Sequence, residues 1–142
     1  MVLWELEEYL NMSWSKETSV DENWNVKNPA LGQCAVTSLV VNDYYGGKIM
    51  RCMTSTGSHY YNLIDNRIID LTASQFEDEI PPYETGEERT REYLLSNENT
   101  KKRYELLSKN VKDNMELKEE LEAFVLKKAK KIWSKYTGKE YL

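Results

Sequence analysis

The chain has 142 residues, of which 40% are hydrophobic and 30% charged, with a net charge of −5; this fits one globular domain with a real core and excludes a disordered chain. The acidic balance argues against general nucleic-acid binding, which needs lysine and arginine to neutralise phosphate. No run approaches the apolar length of a membrane span, and Met1 to Glu8 lacks the basic start and apolar run of a secretory leader, so a cytoplasmic location is expected.

Leu3, Leu6 and Leu10 recur at helical spacing with glutamates between them, which predicts a short amphipathic helix. Ser13 to Pro29 is polar and carries Trp14 and Trp24; it reads as a long ordered loop pinned to the core by its indoles. Gly32 to Tyr45 predicts a second helix, with Pro29 just ahead and Gly46-Gly47 ending it. Its centre is apolar over more than half its circumference, as in a largely buried helix.

Three short strands are expected next, over Lys48 to Met53, Ser58 to Ile64 and Arg67 to Thr72. Asp65-Asn66 between apolar runs signals a two-residue hairpin. Ala73 to Tyr83 reads as irregular chain, followed by helices over Glu87 to Ser96, Thr100 to Val111 and Asn114 to Tyr136, with Thr137-Gly138 as the stop. The expected class is α+β: residues 1–111 form a domain whose central helix packs on a small antiparallel sheet, and residues 112–142 form an amphipathic helical extension.

Chemistry concentrates on three residues. Cys34 falls in the first turn of the central helix, where free N–H groups and the helix dipole favour a thiolate. Taken alone, Cys34 reads more plainly as a small buried residue. His59 is the sole histidine. With Asp65-Asn66 as the turn, Ile64 faces Arg67, Tyr61 faces Asp70 and His59 faces Thr72, so His59 and Asp70 are diagonal neighbours on one sheet face. Asp70 stands among Ile68, Ile69 and Leu71, where a carboxylate needs a partner. The imidazole is one such partner; a turn cap toward Thr72 is the plainer alternative. Cys34 and Cys52 would form a disulfide only in an oxidising compartment. Zinc held by Cys34, Cys52, His59 and Asp70 lacks the usual ligand spacing, and no cofactor is expected. Lys127, Lys128, Lys130, Lys131 and Lys135 complement the dipole at a helix C-terminus.

Several stretches resemble the YunG-like family of small, uncharacterised bacterial proteins. They are Asn28 to Val41 with its Gly32-Gln33-Cys34 run, Asp43 to Gly47, Ser58 to Asn62 and Asp70 to Phe76. Trp14 to Thr18 and Arg103 to Leu107 also fit, so the resemblance covers roughly residues 10–110, and the helix beyond Val111 looks like an extension. No activity carries over from the family. By fold analogy, the order of Cys on a helix, His on a strand and Asp on the next strand is similar to papain-like and NlpC/P60-like thiol enzymes. That analogy implies a papain-like core and a cysteine hydrolase or acyl transferase acting on an amide, peptide or thioester. Cys34 would be the nucleophile, His59 the base and then the acid, and Asp70 the group that holds the ring. The Cys34 N–H, with Gln33 or Asn28, would meet the oxyanion, and Trp24, Tyr60 and Tyr61 would line the groove. The alternative is a non-catalytic binding or regulatory module whose terminal helix docks on the domain, pairs with a second copy or engages another partner.

Overall fold

Leu6 and Leu10, one turn apart, are fully buried on one side of α1 (Leu3–Ser13) in the computed structural model, which describes residues 1–141. The loop after α1 is held at several points. Trp14 Nε1 donates to Thr37 Oγ1 at 2.9 Å, Trp24 Nε1 donates to the Pro29 carbonyl at 2.8 Å, and Arg103 reaches the Thr18 carbonyl at 3.1 Å. The next helix, α2 (Cys34–Tyr45), buries Val36 to Val41 without a break.

The sheet has four antiparallel strands in the order β3-β2-β1-β4: β1 (Lys48–Thr54), β2 (Gly57–Ile64), β3 (Arg67–Ile69) and β4 (Glu87–Arg89). Asp65 (φ 50°) and Asn66 (φ 61°) both take positive φ, as a two-residue hairpin turn matched to strand twist requires. The resulting register sets Ile64 opposite Arg67. The third strand is shorter than its sequence suggests: β3 stops at Ile69, because the Asp70 carboxylate accepts from the Thr72 N–H at 3.2 Å and turns the chain out of the ladder.

Two further differences have physical causes. The expected helix over Glu87 to Ser96 is a strand followed by the short helix α3 (Arg91–Leu95). Glu87–Arg89 fills the open edge of β1, pairing with Arg51, Met50 and Ile49, so a tertiary ladder overrides local helix preference. Thr90 then caps α3 by accepting from the Tyr93 N–H at 3.1 Å. The two expected terminal helices are one: α4 (Glu98–Thr137) runs 40 residues through the Val111–Asn114 region, where no Gly or Pro interrupts it. Asn97 caps its start and Gly138, at φ 69°, its end.

The core lies between α1, α2 and the first half of α4, with Leu107 and Val111 fully buried there. Asn114 still touches the domain, donating to Ser13 Oγ at 2.9 Å. Beyond it α4 projects into solvent, with Leu117, Leu121 and Phe124 exposed. The class is therefore α+β, a small open antiparallel sheet with helices packed against it and a long C-terminal helix. Among the described residues no helix is long and apolar enough to cross a membrane.

Candidate functional site

Gly32 sets the entry to α2. Its φ of 72° suits glycine, and a Cβ there would fall 2.3 Å from Ser19 Oγ and 2.7 Å from the Asp21 nitrogen. The chain can therefore press against the Ser19–Asp21 loop and turn into Gln33-Cys34. No side chain caps the start of α2, so its first N–H groups have no side-chain acceptor there, and Cys34, the first residue of the helix, is half-buried.

β3 pairs only with Asn62 to Ile64 of β2, leaving the edge of β2 near His59 without a strand neighbour. The turn that begins at Asp70 fills this notch. His59 is 1% exposed, and its Nε2 lies 2.7 Å from Asp70 Oδ2, whose side chain is 5% exposed. The same oxygen accepts from Tyr83 Oη at 2.6 Å, while Oδ1 accepts from the Thr72 N–H and hydroxyl. Asp70 is thus both the turn cap and the imidazole's partner, and four donors converge on it. Phe76 packs edge-on against the imidazole, and Cys52 stands opposite His59 in the β1–β2 ladder.

With Nε2–H given to Asp70, Nδ1 is left buried without a fully formed hydrogen bond, and Cys34 is the group beside it. Burial opposes charge on the ring. The hydrogen bond to Asp70, and then the nearby Cys34, outweigh it and push the His59 pKa up to about 9. Burial pushes the Cys52 thiol up, and the nearby Asp70 adds to this, as expected of an unreactive packing thiol. Both cysteines are free. Burial and the hydrogen bond to Asp70 likewise hold Tyr83 well above the usual phenol range.

The remaining candidates are placed differently. Gln33 is fully buried with Nε2 donated to the Ser15 carbonyl, so its amide braces the loop instead of facing a substrate oxygen. Tyr61 is buried too: it stacks beside His59 and donates to the Tyr83 carbonyl at 2.8 Å, forming the floor of the site and not the wall of a groove. Asn28 is half-buried and reaches the Gln75 carbonyl at 3.5 Å, next to the Asp70 turn. Trp24 is half-buried in the loop ahead of α2. A cavity of about 250 Å³ opens beside Ala35 and Tyr60, the sequence neighbours of Cys34 and His59, and is closed by Tyr93, Leu94, Asn97 and Thr100. Among the described residues, no three His, Cys, Asp or Glu side chains are grouped to hold a metal ion.

Two residues of the site lay outside the sequence argument. Tyr83 reaches Asp70 across thirteen positions of irregular chain, and no periodicity signals such a contact. Arg103 on α4 is buried without an ion-pair partner among the described residues, bonded to Asn99, Thr18 and Thr100. Burial weakens its charge, and a negative charge on Cys34 counters that effect.

The fold and site together define a small α+β protein with a thiol at an uncapped helix start beside a buried imidazole–carboxylate pair. Its residues 2–116 match the model of the YunG protein family, and the chain belongs to that family. It is 35% identical over 89 residues to "Uncharacterized protein YunG" of Bacillus subtilis (strain 168), covering 63% of this chain and 76% of the relative. No solved structure matches the chain.

Proposed function

We propose that this protein is a thiol hydrolase or acyl transferase acting on an amide, peptide or thioester carbonyl, on a frame related to the papain-like enzymes. The observation that supports this reading most is the buried 2.7 Å contact of His59 Nε2 with Asp70, which leaves Nδ1 beside Cys34. A ring with a pKa of about 9 carries its second proton at neutral pH and so serves as the proton donor of the reaction, while Cys34 Sγ is the atom that attacks the carbonyl carbon. The oxyanion that forms is met by the uncapped N–H groups at the start of α2. The bond to the leaving nitrogen or sulfur then breaks as Nδ1 gives that atom its proton. Water, or an acceptor amine, next attacks the acyl-thioester and passes a proton back to Nδ1, and the Cys34 thiolate departs.

The test is alkylation of Cys34 by iodoacetamide at pH 6 in a Cys52→Ser background, read by mass spectrometry, followed by a screen of small amides and thioesters against a Cys34→Ala control. Rapid labelling that slows at least about tenfold in His59→Ala is the expected result. If Cys34 resists labelling while folded, or reacts at the same rate without His59, the domain is a binding frame and the hydrolase reading fails.

A further inference from the structure

The part of α4 beyond the domain carries an apolar stripe with nothing against it. Leu117, Leu121, Phe124, Val125 and Ile132 are each more than half exposed, yet they fall within about 100° of arc on the helix. Leu107 and Val111, which α1 and α2 cover, lie along the same side of α4, so the stripe continues an interface already used inside the domain. Single exposed apolar residues are ordinary, whereas a contiguous stripe marks a surface that something covers.

Charge on this arm says what covers it. Asp113 to Glu122 holds five acids (Asp113, Glu116, Glu119, Glu120 and Glu122) against one lysine, Lys118. Lys127 to Lys135 holds five lysines and no acid. A second arm laid parallel would set acid on acid and lysine on lysine. Laid antiparallel, the acidic half of each arm lies along the lysine half of the other. We infer that the arms of two copies of this chain pair antiparallel through the Leu117–Val125 part of the stripe, giving a symmetric dimer. A two-fold axis near Glu122-Ala123 stacks Leu121 of one copy on Phe124 of the other. The same axis brings Leu117 to the aliphatic stem of Lys128, and Glu120 beside Lys127 on the flank of the seam. The surface is self-complementary, as a closed two-fold dimer requires.

Sedimentation of the full chain tests this. The wild-type chain is expected to dimerise at micromolar concentration. Leu121→Asp with Phe124→Asp weakens the dimer by about 100-fold or more, because both anchors are lost from both copies. Both side chains are solvent-exposed, so at concentrations below dimerisation circular dichroism of that variant should melt as the wild-type monomer does; this separates a lost dimer from a lost fold. Orientation is read from a chain with its charge halves exchanged: Glu116→Lys, Glu119→Lys, Glu120→Lys, Lys127→Glu, Lys128→Glu and Lys131→Glu. Antiparallel pairing predicts that this chain dimerises with itself and does not mix with wild type. If the two chains prefer each other, the pairing is parallel. A wild-type chain that stays monomeric at 100 times that concentration, or a dimer indifferent to Leu121→Asp with Phe124→Asp, overturns the inference.

Discussion

Replacing Asp70 by Asn removes the charge that holds His59 protonated; the amide keeps one carbonyl for Thr72, while an NH2 takes the place of the oxygen that accepts from Tyr83 and His59. The folded pKa of about 9 lies 2.5 units above the ordinary imidazole value of 6.5, which corresponds to about 3 kcal/mol. Because the folded value is raised, this contribution is whole below pH 6.5 and is lost as pH rises through about 9. With a urea slope of about 2 kcal/mol per molar, the wild-type midpoint should fall by about 1.5 M between pH 6 and pH 9.5. In Asp70→Asn only Cys34 is left to oppose burial, so the His59 pKa falls and the pH dependence shrinks. The variant should be about 3–5 kcal/mol less stable than wild type at pH 6, the cost of breaking a buried pair, with the gap narrowing toward pH 9.5. Proton NMR reads the ring directly, since His59 is the sole imidazole in the chain. A wild-type ring that titrates at 6.5 or below, or a variant with the same pH slope as wild type, would refute the reasoning.

Tyr83→Phe removes one of the two donors on Asp70 Oδ2 and should cost about 1–2 kcal/mol in urea unfolding. With one competitor gone, Asp70 should hold the imidazolium more tightly, so the His59 titration moves up; a downward move counts against the shared-acceptor picture. Gly86→Ala places a Cβ 1.8 Å from Tyr61 Oη and 2.9 Å from Cζ, forcing the phenol off the Tyr83 carbonyl. A loss of about 1–3 kcal/mol in thermal melts is expected, and an unchanged melt would show that the floor of the site yields freely. A chain ended after Lys118 keeps the Asn114–Ser13 bond and the Lys118–Tyr9 contact, so it should melt within about 2 °C of the full chain; unfolding would make the arm part of the core.

The parts of the fold that sequence reveals are those set by local periodicity and turn chemistry. The Leu3/Leu6/Leu10 spacing, the Gly46-Gly47 stop and the Asp65-Asn66 turn each act within a few residues, and each produces the element its pattern implies. The hairpin carries the chain back along β2 only as far as Ile69, and the turn at Asp70, outside the ladder, completes the approach to His59. Non-local pairing is not written in any window. Glu87–Arg89 becomes a strand only because β1 offers an edge, and Tyr83 finds Asp70 only after the Pro81-Pro82 segment has folded across the sheet. Lys112-Asp113 reads as a gap between helices, yet without Gly or Pro a polar pair cannot stop a helix already nucleated on both sides. The position of Cys34 beside the imidazole depends on how α2 docks on β2, which residue spacing does not encode.

The site and the arm are mechanically distinct although one helix serves both. Cys34, His59, Asp70 and Tyr83 all lie within the family-matched residues 2–116, and the apolar stripe begins at Leu117, just past them. The docked half of α4 supplies Leu107 and Val111 to the core and Arg103 to the neighbourhood of Cys34, so it moves with the domain as a rigid element. Arm pairing therefore fixes how two domains are oriented without altering any contact to the imidazole. Labelling of Cys34 at pH 6 should accordingly proceed at the wild-type rate, within about twofold, in the Leu121→Asp, Phe124→Asp chain. A larger change would mean that strain passes along α4 through Arg103 to the thiol, and that dimerisation sets the reactivity of the site.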